Sequence, residues 1–96
     1  MKYVVIQAKI KNQTLELPII FPGTLNHDDM AKAMIEAIKE SLNKDLVCKP
    51  VSAGFISSMN IDDGCYGKSQ TLNMNSRERV DDTLIQMIDY GSMHKC

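Results

Sequence analysis

One amphipathic segment constrains the fold of this chain more than any other feature of its sequence. Between residues 27 and 42 the apolar residues recur every three or four positions and form one stripe along a helix: Met30, Ala31, Met34, Ile35, Ala37, Ile38 and Leu42. Asn26 stands at the expected N-cap, and Asp28 and Asp29 suit the positive end of the helix dipole. We therefore expect a long amphipathic helix over about 27–42 that packs on an apolar surface.

That surface is expected to be a small, mainly antiparallel sheet. Residues 2–11 and 14–21 are rich in apolar and β-branched residues, and the short polar break between them indicates a β-hairpin. Pro18 has no amide proton to donate, so we expect the second strand to lie at an edge of the sheet or to carry a bulge. A free sheet edge of this kind also makes a homodimer a reasonable expectation.

The second half of the chain is less regular. Residues 45–57 are interrupted by a proline and a glycine, which predicts one kinked strand or two short ones, and a hairpin strand is expected around Gly64–Leu72. Ser76 is placed to cap a final helix that begins at Arg77. Residues 84–90 fit either the continuation of that helix or a short closing strand, and periodicity does not decide between them.

Length and composition indicate one α+β domain over residues 1–96. The 44% of apolar residues is normal for a globular protein and high for a disordered one. The expected architecture is a small, mainly antiparallel sheet, one long helix (about 27–42) packed on it, and a short C-terminal helix or strand.

Charge and cysteine content exclude several classes of function. A net charge of −1 provides no general attraction to nucleic acid or to an anionic membrane. The three cysteines are odd in number and match no zinc spacing, so we expect a reducing compartment, no metal and no cofactor. The first apolar run is too short for a signal peptide or a membrane span, which favours a cytoplasmic location.

The polar segment around Gly67-Lys68-Ser69 resembles the end of a phosphate-binding P-loop. A P-loop requires a first glycine five residues before the second, whereas Gly64 precedes Gly67 by three, so nucleotide hydrolysis is poorly supported. A simpler anion site remains, because cationic and hydroxyl side chains cluster within a dozen residues: Lys68, Ser69, Thr71, Ser76, Arg77 and Arg79. Tyr66 is placed to stack on a base. The alternative is a solvated face whose arginines pair with Glu78, Asp81 and Asp82.

Two further classes of function stay open as alternatives. A small enzyme would use His27 or Cys65, although no serine or cysteine partner for His27 is evident in the sequence. A nucleic-acid binder would need Lys49, Lys68, Arg77 and Arg79 on one face, and the near-neutral charge counts against it. Asp62-Asp63 and His94 are weaker candidates for a cation site.

Several motifs together resemble a group of small uncharacterised proteins encoded by bacteriophages and prophages. They are Phe21-Pro22, a histidine at a helix start (His27), Pro-Val-Ser-Ala-Gly-Phe (50–55), Cys-Tyr-Gly-Lys-Ser (65–69) and Ser76-Arg77. Glu78 departs from the pattern, which has a proline there at the start of the final helix. The resemblance implies an accessory phage protein that binds host or phage components.

These observations together predict a non-enzymatic binding protein of phage or prophage origin, working in the bacterial cytoplasm. Its partner would be a host protein or an anionic small molecule such as a nucleotide. A protein partner requires a contiguous exposed apolar patch, and a small anion requires a concave site with convergent donors. The expected binding residues are His27, Tyr66, Lys68, Ser69, Ser76 and Arg77.

Overall fold

The first two strands form the predicted hairpin. The computed structural model describes residues 1–56 and 65–94, with the backbone alone for residues 88–94. Strands β1 (Lys2–Ile10) and β2 (Gln13–Phe21) pair antiparallel around a two-residue turn. Lys11 adopts a positive φ of 52° in that turn, as tight hairpins require.

Four strands form one antiparallel sheet in the order β2-β1-β3-β4. Strand β3 (Val47–Ile56) pairs with β1, and β4 (Cys65–Tyr66) pairs with the end of β3. The register places Ser52 opposite Val5 but Pro50 opposite Ile6, so Val51 is an extra residue in a β-bulge. Of the two alternatives for this region, one kinked strand or two short ones, the structure shows the kinked strand over Val47–Ile56.

The predicted edge position of Pro18 is confirmed, since β2 is the outermost strand beside β1. Residues flanking a two-residue turn exchange hydrogen bonds, and such pairs alternate along an antiparallel ladder. Pro18, opposite Val5, therefore occupies a position whose nitrogen faces the free edge. The edge lacks one donor at its centre, which weakens it as a surface for a further strand.

A second, smaller hairpin follows the sheet. Strands β5 (Lys68–Ser69) and β6 (Met74–Asn75) pair antiparallel. The predicted single strand around Gly64–Leu72 is therefore divided between β4 and β5, and its first residue lies outside the described part of the chain. The physical reason is Gly67, whose φ of +84° turns the chain between the two short strands.

Two helices cover opposite faces of the sheet. Helix α1 (His27–Ser41) packs on the face that carries Val4 and Ile6, as its apolar stripe predicted. Helix α2 (Glu78–His94) lies on the other face, where Ile85 packs with Tyr3 and Val5. The central strand β1 is thus buried on both sides, which makes the domain α+β with two helical layers.

The expectation of one long helix and a short C-terminal element is wrong. Helix α1 has 15 residues and α2 has 17, and residues 84–90 belong to α2. The sheet decides this, because Tyr3 and Val5 form an apolar face that α1 cannot reach, and a helix can cover it. Among residues 78–87 of α2, whose side chains are described, Asp81 and Ile85 are buried, whereas the apolar Val80 and Met87 are exposed.

The start of each helix also differs in detail from the expectation. Asn26 is the N-cap residue of α1, but its side chain makes no capping bond, and the amide of Asp28 donates to Thr71 Oγ1 at 3.2 Å instead. Ser76 does not cap α2, because its hydroxyl bonds to the hydroxyl of Tyr3. The carbonyl of Arg77 accepts the first amides of α2.

A fully buried carboxylate, Asp81, joins α2 to the sheet. It accepts hydrogen bonds from the Tyr3 hydroxyl, from Ser52 Oγ at 2.9 Å and from the Arg77 amide at 2.9 Å. The Arg77 guanidinium lies 3.0 Å from Asp81 and donates two further bonds to Glu16 on β2. Residues from β1, β2, β3 and α2 therefore share one charged network.

Asp81→Asn should lower the free energy of unfolding by about 3 kcal/mol, because its amide group would face donors and leave Arg77 without its buried counter-charge. Urea denaturation followed by circular dichroism measures the change. The matched control is Gln86→Ala at an exposed position of the same helix, which should change stability by less than about 0.5 kcal/mol. Equal stability of the two variants would contradict the role given to Asp81.

Candidate functional site

The end of the sheet where α1 begins contains a cavity of about 250 Å³. We name it the lysine cavity. Its lining residues come from β1, β3, β5, the start of α1 and the turn after β5: Lys2, Asn26, His27, Phe55, Lys68, Gln70 and Thr71. Two cationic amines, three neutral polar side chains, an imidazole and a phenyl ring thus surround one concave space, as a small-molecule site requires.

Strand register explains why these residues meet. Lys2 on β1 is opposite Phe21 on β2 and opposite Phe55 on β3, and Phe55 is in turn opposite Tyr66 on β4. Directly opposed residues of an antiparallel sheet project from the same face. One row of side chains therefore crosses the sheet, and His27 at the first turn of α1 lies over it.

His27 forms a buried wall of the cavity. Its ring meets Phe21 and Phe55 edge-on, with centroids 5.5 Å and 5.6 Å away, and its Nε2 donates to the Gly54 carbonyl oxygen at 2.9 Å. The carbonyl can only accept, so Nε2 carries the proton and is not available as a base. The residues lining the cavity include no serine or cysteine to act as the partner of His27 in the alternative of a small enzyme.

Two glycines permit the close packing behind this wall. A Cβ at Gly54 would collide with the carbonyl oxygen of Tyr66, and a Cβ at Gly67 would lie 2.9 Å from the Phe55 ring. Gly67 also accepts the amide of Ser76 at 2.9 Å while it holds a positive φ. These contacts bring β5 and its lysine back toward the start of α1.

The structure brings three of the six expected binding residues to this end of the sheet. His27 and Lys68 line the cavity. Tyr66 lies beside it, stacked on Phe55 with ring centroids 6.0 Å apart, and 53% of its surface is exposed. A half-exposed aromatic ring next to exposed lysine is available to a ligand.

Ser69 has a different place in the structure. It is fully buried, and its Oγ accepts the amide of Leu72 at 3.1 Å, which closes the turn between β5 and β6. The chain after Lys68-Ser69 forms this turn and β6, whereas a P-loop continues into a helix. The poor support for nucleotide hydrolysis agrees with this geometry.

Ser76 and Arg77 lie away from the cavity, in the Asp81 network. Ser76 is bound to Tyr3, and Arg77 is held by Glu16 and Asp81. Burial lowers the pKa of Arg77, but its bonds to Glu16 and the charge of Asp81 outweigh this and raise it. The guanidinium is already neutralised by two carboxylates, so we leave Arg77 and Ser76 out of the proposed binding site.

Cys65 does not have the environment of a reactive thiol. Its side chain is buried, and this burial, together with the neighbouring Asp82 carboxylate, raises the pKa of the thiol to about 12. The alternative of a cysteine enzyme at this position therefore lacks a thiolate. Asp62 and Asp63 lie outside the described residues, as does the side chain of His94.

The basic residues of the nucleic-acid alternative do not share one face. Lys68 lines the lysine cavity on the α1 side. Lys49 is opposite Gln7, in the row that also holds Glu16, the partner of Arg77. The expected basic surface is thus divided between the two sides of the sheet. This division does not favour binding to the phosphates of a nucleic-acid backbone.

Four cavity residues belong neither to the expected binding residues nor to the predicted anion cluster: Lys2, Asn26, Phe55 and Gln70. Strand pairing makes Lys2 and Phe55 neighbours, whereas Asn26 and Gln70 lie in the connections before α1 and after β5. Comparison with protein-family models, curated proteins and solved structures finds no match to this chain. Among residues 1–56 and 65–94, no helix is long and apolar enough to cross a membrane.

Cys65 should resist alkylation in the native protein, because burial and its raised pKa keep it as a thiol. Treatment with iodoacetamide followed by peptide mass spectrometry should show labelling at least about tenfold slower at Cys65 than at the partly exposed Cys48. The difference should vanish in urea. Rapid native labelling of Cys65 would restore the cysteine enzyme as a candidate.

The Arg77–Glu16 pair should give stability that depends on pH. Its hydrogen bonds lower the pKa of Glu16 in the folded state, so the stabilisation is complete above the ordinary glutamate pKa of about 4.3 and is lost as the pH falls through the lower folded value. At pH 7 the free energy of unfolding of the wild type should exceed that of Glu16→Gln by about 1 kcal/mol or less. This difference should disappear in acid, where Glu16 is protonated. The exposed Glu36→Gln control, compared in the same urea series, should show no such gap.

Proposed function

We propose that this protein binds a small anionic molecule in the lysine cavity and acts by binding rather than by catalysis. The observation that carries the proposal is the convergence of two lysines, Lys2 and Lys68, on one concave space. Anionic ligands are bound at such places through charge-assisted hydrogen bonds from amines. Asn26, Gln70 and Thr71 add neutral polar groups around the same space.

The position of Lys2 supports the proposal. Its Nζ donates to the carbonyl oxygen of Leu25 at 2.8 Å, which holds the amine in a defined place. An ammonium group has three donors, so two remain for a ligand. A cation that is already oriented loses less side-chain entropy when a ligand binds.

The surroundings favour a ligand of low charge. Asp28 and Asp29 stand in the first turn of α1, next to the lining residues Asn26 and His27. Their carboxylates offset part of the attraction of the two lysines. We therefore expect a molecule with one or two negative charges rather than a polyphosphate.

A protein partner is the second candidate, and the exposed side of α2 favours it. Val80 and Met87 are 50% and 66% exposed, and they lie on one side of the helix with the partly buried Leu84. Exposed apolar stripes of this kind occur at protein interfaces. A ligand titration separates the two candidates, because a protein bound at α2 would leave the lysine cavity unoccupied.

The biological setting that we propose is that of a phage or prophage accessory protein in the bacterial cytoplasm. The support is the motif pattern from Phe21-Pro22 to Ser76-Arg77 and the thiol content of the chain. In that setting the second candidate would be a host protein. The anionic ligand would be a host metabolite or signal.

Titration of ¹⁵N-labelled protein with inorganic phosphate and a panel of nucleotides tests the proposed function. Saturable amide shifts should group at Lys2, His27 and residues 68–71, where the ligand would lie. Lys68→Gln should weaken binding about tenfold, because it removes one charged hydrogen-bond donor.

Lys32→Gln provides the matched control. Lys32 is an exposed lysine on α1 and does not line the cavity, so its loss lowers the net charge equally without removing a ligand contact. The Lys32→Gln variant should bind each ligand with a dissociation constant within about twofold of the wild-type value. The proposed function is wrong if no amide shifts at millimolar ligand, or if both lysine variants weaken binding equally.

A further inference from the structure

We infer that the ligand of the lysine cavity carries a flat ring beside its anionic group and has the size and chemistry of a nucleoside monophosphate. The inference rests on the proposed function, since it describes the remainder of a molecule whose anionic group the two lysines would bind. The feature that points to a ring is the pair formed by Phe55 and Tyr66, which we call the aromatic pair.

The aromatic pair and Lys2 lie side by side on one face of the sheet. Lys2 is opposite Phe55, and Phe55 is opposite Tyr66 in the next strand. Neighbouring strands are about 4.8 Å apart, so the Cα atoms of Lys2 and Tyr66 are separated by about 10 Å. A nucleoside monophosphate spans a comparable distance from its phosphate to the far edge of its base.

Tyr66 is the most exposed aromatic residue among those whose side chains the structure describes. The core consists mainly of aliphatic residues, and Phe21 is fully buried in it. Tyr66 is instead 53% exposed, although its ring stacks on Phe55 at an interplanar angle of 29°. An aromatic platform that remains open beside a cationic pocket is the arrangement on which nucleic-acid bases stack.

The backbone holds this platform in one position. Gly67 packs against the Phe55 ring, and the edge of His27 contacts the same ring from the helix side. Gly54 permits the carbonyl of Tyr66 to lie close to β3. A ring fixed in this way offers stacking at low entropic cost.

Size and charge restrict the class further. A cavity of about 250 Å³ lies below the range of roughly 300–1,000 Å³ typical for drug-sized ligands. Two lysines near two aspartates match a monophosphate better than a triphosphate. A dinucleotide would exceed the space, and inorganic phosphate would leave the aromatic pair unused.

Isothermal titration with four probes tests the inference: ribose 5-phosphate, adenosine 5′-monophosphate, adenosine 5′-triphosphate and adenosine. The monophosphate should bind about tenfold more tightly than ribose 5-phosphate, because its base adds a stacking contact. It should also bind more tightly than the triphosphate. Adenosine, which lacks the anion, should bind weakly.

Variants at Tyr66 assign the gain to the aromatic pair. Tyr66→Ala should remove the tenfold advantage of the monophosphate and leave the affinity for ribose 5-phosphate unchanged. Tyr66→Phe should retain the advantage, because it preserves the ring. Tyr66 is exposed, and an unchanged circular dichroism spectrum verifies that each variant is folded.

The outcomes distinguish this inference from the proposed function. Equal affinities for ribose 5-phosphate and the monophosphate, both weakened by Lys68→Gln, would overturn the ring and leave the anion site standing. A base preference that survives Tyr66→Ala would also overturn the role of the aromatic pair. If none of the phosphorylated probes binds, the proposed function and the inference both fail.

Discussion

The buried charge of Asp81 is the interaction on which the rest of the structure depends. A carboxylate without solvent requires donors on every side, and here they come from Tyr3, Ser52 and Arg77. These donors belong to three different parts of the chain, so the charge is stabilised only when β1, β3 and the start of α2 are assembled together. Within the described residues no buried side-chain nitrogen or oxygen lacks a hydrogen-bond partner.

The lysine cavity and the Asp81 network lie on opposite faces of the same part of β3. Gly54 lies opposite Tyr3, close to Ser76, and beside it Phe55 points to the other face of the sheet. The network on the α2 side and the cavity on the α1 side are therefore built on neighbouring residues of β3. His27 links the two, because it hydrogen-bonds to the Gly54 backbone and contacts the Phe55 ring.

Residues that are close in sequence are separated by this arrangement, which explains why the expected anion cluster divides. Lys68 reaches the cavity, Ser69 closes a turn, and Ser76 and Arg77 belong to the Asp81 network. Sequence proximity predicted one site because it contains no information on which side of the sheet each residue lies. Lys2 lies more than fifty residues from Phe55 in the chain, and only the β1–β3 pairing makes them neighbours.

The sequence by itself determined the elements whose physical cause is local. The i, i+4 apolar stripe specified α1 and the apolar runs specified the first hairpin, because each depends on residues within a few positions. Pro18 restricted its strand to an edge or a bulge, and the strand order of the sheet decided for the edge. Tertiary structure decided the length and buried face of α2, since the uncovered Tyr3 and Val5 side of the sheet required a helix there. It also decided the site, because strand register is a long-range property that no spacing along the chain records.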